Sequence, residues 1–121
     1  MCDLEASKAA TYAREFGFAR HYTDVSGMLR AEKLDALVLV TPVAATRRIV
    51  GELIPHRLPT LMEKPPGERS EDTRELLGLA RRHGTPVMVS FNRRFSPALA
   101  QARRWIASEP AGGPPRKVRS V

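Results

Sequence analysis

The chain has 121 residues, 42% hydrophobic and 27% charged, which suits one folded domain and argues against a disordered tract. Its longest uninterrupted apolar run, Ala36 to Val40, is far too short to cross a bilayer, and its single cysteine, Cys2, excludes an internal disulfide framework and a cysteine-built metal site. The formal charge of +7 is concentrated late in the chain, where Arg103, Arg104, Arg116, Lys117 and Arg119 face only Glu109. That end reads either as a solvated helix face followed by a linker, or as a patch for nucleic acid or acidic membrane. The residues after Met1 include Asp3 and Glu5 and form no apolar signal segment, so the expected location is the cytoplasm.

Helix and strand signals alternate along the chain. Ala6, Ala9, Ala10, Ala13 and Phe16 recur at helical spacing over Glu5 to Phe16, with Asp3 or Leu4 before the start and Gly17 as the stop. Phe18 to Tyr22 is expected to be a short strand, and Asp24 to cap a helix running to about Lys33. Asp35 to Thr41 holds the clearest strand, apolar on both faces as a central parallel strand is, and Pro42 ends it.

A helix follows over Val43 to Ile54, with Ile49, Val50, Leu53 and Ile54 on one stripe. Thr60 to Met62 is a second short buried strand, closed by Pro65-Pro66-Gly67. Ser70 is expected to cap the next helix, with Glu71 and Asp72 at its positive end and Leu76, Leu77 and Ala80 on its buried face. Arg81, Arg82 and His83 lie in its last turn, and Gly84 stops it.

Pro86 to Phe91 is the third strand. Ser96-Pro97 opens a last helix lined by Leu99, Ala102 and Ile106. Pro110 to Pro115 reads as a linker, and Lys117 to Val121 as a strand cut short. Strands separated by helices require a parallel sheet with right-handed crossovers, so the fold class is α/β.

Ligands of open parallel sheets bind beyond the carboxyl ends of the strands. Three such ends carry Thr41-Pro42, Glu63-Lys64-Pro65 and Asn92-Arg93-Arg94. Together they offer a hydroxyl, a carboxylate, an amine, an amide and two guanidinium groups, a set suited to a polar, anionic or polyhydroxylated ligand. Lys64 precedes a proline, which holds its backbone extended and gives its amine a fixed direction.

On those residues alone, Glu63-Lys64 is either a proton-transfer pair or a solvated pair in a proline-rich turn. Asp3 is either a helix N-cap or an acceptor for ribose hydroxyls. Arg94 contacts a ligand phosphate or ring, or pairs with a carboxylate. His21, His56 and His83 lie far apart without ligand spacing, so no metal site is expected.

Asp35-Ala-Leu-Val-Leu-Val-Thr-Pro42, then Leu61-Met-Glu-Lys-Pro65, then Val89-Ser-Phe-Asn-Arg-Arg-Phe-Ser-Pro97, in this order and spacing, resemble the Gfo/Idh/MocA oxidoreductases. Cys2 to Lys8 resembles the end of that family's second strand and the helix after it. The resemblance implies a Rossmann domain that binds NAD or NADP, followed by an α/β substrate domain. It implies that Lys64 stands beside the nicotinamide and the substrate hydroxyl as the catalytic proton-transfer group. Asp3, Thr41, Pro42, Glu63, Lys64 and Arg94 would then line the cofactor site. Family substrates are mostly sugars, inositols, sugar nucleotides and related polyols.

Two positions depart from the family pattern: Thr46 stands where a histidine is frequent, and Val43 where asparagine is frequent. No Gly-x-Gly-x-x-Gly turn precedes Asp3. The expectation is therefore an incomplete doubly wound, Rossmann-like parallel sheet lacking the first strand–helix unit and nearly all of the second domain. Residues 1–109 would form the partial cofactor domain, and 110–121 a linker and the start of a truncated substrate domain. Because the first strand is central in the order 3-2-1-4-5-6, the strand at Ala36 to Thr41 would be left with an unpaired inner edge.

The functional expectation is a fragment of a nicotinamide-dependent oxidoreductase acting on a sugar, inositol or related polyol. Its intact form is expected to be a homo-oligomer with no nucleic-acid or membrane partner. The alternative is a non-catalytic truncated scaffold or binding module.

Overall fold

A computed structural model describes residues 1–108. The expected linker at Pro110 to Pro115, the strand at Lys117 to Val121 and the boundary at 109/110 lie outside them. Each of the three apolar runs does form a strand: β1 (Leu37–Leu39), β2 (Thr60–Glu63) and β3 (Val87–Ser90). They pair in the order β1-β2-β3 and all run parallel. The register sets Leu39 beside Met62 and Met62 beside Val89, so the three carboxyl ends finish along one edge of the sheet.

Two helices cross back over this sheet: α3 (Val43–Leu53) after β1, and α4 (Ser70–His83) after β2. Successive right-handed crossovers in one direction place both helices on the same face. The core forms there, from Leu37, Leu39, Val50, Leu53, Ile54, Met62, Leu76 and Ala80. Ile54, Met62 and Val50 are the largest fully buried side chains, each contributing roughly 1.5–3 kcal/mol through burial. Val25, Met28 and Leu29 of α2 (Val25–Ala31) pack against the rim of this core.

The opposite face is different. Val38 is 72% exposed, Val40 81% and Met88 65%. The expectation that the Asp35–Thr41 strand is buried on both faces is therefore corrected: one face is buried and the other is open, because both crossover helices lie on the first. Leu77, expected on the buried face of α4, is likewise half exposed, whereas Leu76 and Ala80 are buried.

Outside the sheet there is a second, minimal parallel pairing, a bridge between Cys2 and Tyr22. Tyr22 N donates to Met1 O at 2.9 Å and Asp3 N to Tyr22 O at 3.1 Å. The strand expected over Phe18 to Tyr22 is reduced to this bridge, which stays separate from the three-stranded sheet, so that among the described residues β1 is at the sheet's edge. Between its two halves runs α1 (Ala6–Phe16), ended by Gly17 at φ 73°, a left-handed conformation that glycine adopts without a Cβ penalty.

The caps follow local chemistry. Asp24 accepts from the Gly27 amide and starts α2 as expected. At α4 the expected Ser70 cap is replaced. Arg69 holds the cap position, and the Asp72 carboxylate accepts from Glu68 N at 3.1 Å and Arg69 N at 3.0 Å. A carboxylate is the stronger acceptor at a helix N-terminus, and the Ser70 hydroxyl donates to Glu71 instead. After β3 the chain makes a 3-10 turn, Asn92–Phe95, and enters α5 (Pro97–Ser108) with Ser96 Oγ accepting from Leu99 N. No residue of α5 is buried, so its apolar positions Leu99, Trp105 and Ile106 remain open. Among the described residues, no helix is long and apolar enough to cross a membrane.

Candidate functional site at the strand ends

Thr41-Pro42 immediately follows β1 and Lys64 immediately follows β2. The parallel register continued by one residue sets Val40 level with Glu63, and Glu63 pairs with Ser90. Thr41, Pro42, Glu63 and Lys64 therefore gather along the carboxyl edge, where α/β sheets hold their ligands. Pro42 is the N-cap residue of α3, and its carbonyl accepts from Ala45 N at 2.9 Å and Thr46 N at 3.1 Å.

Lys64 Nζ stands 4.0 Å from Glu63 Oε1, and the two side chains are 51% and 37% exposed. The ion pair is at the outer limit of contact, so both head groups remain free to engage a ligand. The Lys64-Pro65 peptide is cis. The loop beyond it is held by its own chemistry, in which Asp72 accepts from the two loop amides of Glu68 and Arg69. Gly67 packs so closely on Asp72 that an added Cβ would lie 2.4 Å from the Asp72 Cβ, so only glycine fits. Arg47 of α3 reaches across to pair with Asp72 at 3.3 Å and with Glu75, tying the start of α4 to α3. This lock on the lysine loop was not anticipated from sequence. Pro65-Pro66-Gly67 followed by Asp72 carried the signal, but the contact itself is tertiary.

Arg94 lies on the 3-10 turn beyond β3, with its guanidinium 5.7 Å from the Phe95 ring centroid. It is on the same side of the sheet as the other two strand ends, but it leans on an aromatic neighbour rather than on them. Asp3 belongs to the separate Cys2–Tyr22 pairing, and its Oδ1 accepts from Glu5 N at 2.9 Å in a local turn before α1. The structure thus joins four of the expected residues, sets Arg94 one turn beyond them, and keeps Asp3 on its own element.

Thr46, noted in sequence only as a departure from a family pattern, is 3% exposed and sits beneath Thr41. The Thr41 and Thr46 hydroxyl oxygens are 2.9 Å apart, and Thr46 Oγ1 donates to Pro42 O at 3.1 Å. The four-residue spacing from Pro42 to Thr46 was the available signal, since a helical threonine can bond the carbonyl one turn back. Elsewhere, two open depressions of about 370 and 250 Å³ run along α3 and α4. They are lined largely by charges of both signs, such as Arg47, Glu75 and Asp72, and neither reaches Thr41 or Lys64.

As chemistry, the strand ends supply an amine, a carboxylate, a hydroxyl and an exposed proline face. This set fits the ribose and ring end of a dinucleotide. A glycine-rich turn for its phosphates is not among these residues.

Residues 1–91 match the family model described as an oxidoreductase family with an NAD-binding Rossmann fold. A D-apiose dehydrogenase from Paraburkholderia graminis is 28% identical over 114 residues, covering 94% of this chain and 30% of that protein. A myo-inositol dehydrogenase from Streptomyces leeuwenhoekii is 36% identical over 101 residues, covering 84% of this chain and 31% of that protein. Among solved structures, the WlbA dehydrogenase of Bordetella pertussis in complex with NADH and UDP-GlcNAcA superposes with a TM-score of 0.80 at 25% identity, over 88% of this chain and 33% of that one. An oxidoreductase from Agrobacterium radiobacter in complex with NAD+, L-tartaric acid and magnesium shares the fold at a TM-score of 0.82 and 21% identity, over 88% of this chain and 31% of that one. The chain therefore spans about a third of the length of the relatives it matches. From the parallel sheet, the residues at its carboxyl edge and the family match together, the chain belongs to the Gfo/Idh/MocA oxidoreductases, within their NAD-binding Rossmann fold.

Proposed function

We propose that this chain is part of a cytoplasmic, homo-oligomeric oxidoreductase that moves hydride between NAD or NADP and a hydroxyl-bearing carbon of a sugar, inositol or related polyol. The observation that carries this reading is Lys64 at the carboxyl edge of a parallel sheet, beside Thr41-Pro42 and followed by the Gly67–Asp72 loop lock. The nicotinamide, when bound, accepts or supplies the hydride. Lys64 is the proton-transfer group: its amine takes the substrate hydroxyl proton in one direction and returns it in the other. Glu63 accepts hydrogen bonds from ribose hydroxyls, Thr41 and Pro42 shape the strand-end floor, and Arg94 and Asp3 complete the cofactor contacts. The named substrates of the relatives, apiose and myo-inositol, are both polyhydroxylated and support that substrate class.

The chain by itself carries the ring end of the cofactor site and not the phosphate turn. Titrating NADH into the labelled chain is therefore expected to shift the amides of Thr41, Glu63 and Lys64 with an affinity no better than millimolar. Submillimolar binding by calorimetry overturns the weak-binding part, and shifts that avoid the strand ends overturn the placement.

Grafting the chain in place of the matching segment of the Streptomyces myo-inositol dehydrogenase tests the chemistry. Lys64→Met in an active graft is expected to lower kcat by about 10²–10⁴-fold. A graft indifferent to that substitution removes Lys64 from the mechanism.

A further inference from the structure

A hydroxyl has one proton to give and two lone pairs to receive with. Thr46 is 3% exposed, and its Oγ1 makes two contacts, to Pro42 O at 3.1 Å and to Oγ1 of the half-buried Thr41 at 2.9 Å. A carbonyl oxygen only accepts, so the bond to Pro42 takes the single proton of Thr46. The second contact is a hydrogen bond only if Thr41 donates. In the opposite polarity the Thr46 and Pro42 oxygens would face each other with lone pairs alone. Both contacts are hydrogen bonds at once only in the direction from Thr41 to Thr46 to the Pro42 carbonyl, which also accepts from the Ala45 and Thr46 amides.

We propose that Thr46 is a positioning residue that fixes the polarity of Thr41. With its proton held inward, the half-buried Thr41 presents only lone pairs to the strand-end crevice. It accepts from a ligand hydroxyl or amide N–H and disfavours a carbonyl, carboxylate or phosphate oxygen at that point. On the neighbouring strand end, Lys64 has the opposite character, with three donors and no acceptor. An acceptor at the end of β1 and a donor at the end of β2 together suit a group that both gives and receives hydrogen bonds, such as a ribose hydroxyl or a carboxamide. The inference rests on the proposed placement of the cofactor at these strand ends, and it adds the hydrogen-bond sense that each end imposes.

Two readouts on the whole chain, compared across wild type, Thr46→Ser and Thr46→Val, test it. In proton NMR, the Thr41 hydroxyl proton is expected to exchange slowly in wild type and Thr46→Ser and to lose that protection in Thr46→Val. A Thr41 hydroxyl that exchanges at the free rate in wild type overturns the polarity. In NADH titrations, Thr46→Val is expected to weaken the response of the strand-end amides by about 3–10-fold, with Thr46→Ser within about twofold of wild type. Equal responses from wild type and Thr46→Val overturn the positioning role while leaving the cofactor placement standing. If wild type shows no strand-end response to NADH, the placement and the ligand selection both fall, and the hydroxyl polarity is decided by the first readout.

Discussion

Thr85 shows how one buried hydroxyl joins distant parts of this chain. It is 5% exposed, and its Oγ1 donates to the Ile54 carbonyl at 2.6 Å, bridging the turn after α4 to the end of α3. Thr85→Val keeps the shape but leaves that buried carbonyl without this donor. Urea denaturation is expected to show a loss of about 1–3 kcal/mol at constant m-value. Gly67→Ala forces a Cβ into the Asp72 side chain. The expected loss is again about 1–3 kcal/mol, accompanied by shifts in the Glu68 and Arg69 amides that Asp72 holds. On the separate Cys2–Tyr22 pairing, burial, with a smaller push from Asp24, raises the pKa of the Cys2 thiol. The folded state therefore keeps this thiol protonated to higher pH than the unfolded chain does. Stability is expected to fall as pH rises from the unfolded thiol's range through the folded one, and alkylation by iodoacetamide at mildly alkaline pH should be slower in the folded chain than in urea. Equal rates in the two states would remove the effect. Lys64 and Thr41 were legible because the proline after each one stops an apolar strand run. Thr46 was legible only as a four-residue spacing from Pro42, because its meeting with the Thr41 hydroxyl is made by the turn from β1 into α3.

At the scale of elements, the three strands and the helices between them were readable from apolar runs and stop signals. Gly17 and Gly84 end α1 and α4 at positive φ, as a glycine after a helical stripe implies. Asp24 caps α2 as expected, and Asp24→Ala should cost about 1 kcal/mol, with increased amide exchange confined to α2. Unchanged exchange there would show that packing of Met28 and Leu29, rather than the cap, holds the helix. The Ser70 reading failed for a local reason: Asp72 is within reach of two amides and is the better acceptor. The strand at Phe18 to Tyr22 failed for a non-local one, since a strand is completed by its partners, and here a single bridge to Cys2 is what forms.

Among the described residues, the core lies on one side of the sheet, while β1 forms the sheet's edge and both Val38 of β1 and Val40 just after it are exposed. Exposed apolar edge strands are templates for pairing with other chains. Sedimentation velocity is expected to show concentration-dependent self-association that Val38→Lys suppresses without lowering the thermal midpoint by more than about 2 °C. A monomer at all concentrations would sink that expectation. The sequence by itself determined the class of fold, the order of strands and helices, and the placement of Thr41, Glu63 and Lys64 at strand ends, because periodicity, proline and glycine act over a few neighbouring residues. Only the tertiary structure decided which face of the sheet is buried, that Asp3 stands on a separate strand pair, and that Gly67, Asp72 and Arg47 lock the lysine loop. Those outcomes depend on the hand of the crossovers and on contacts between residues distant in sequence, which local pattern does not encode.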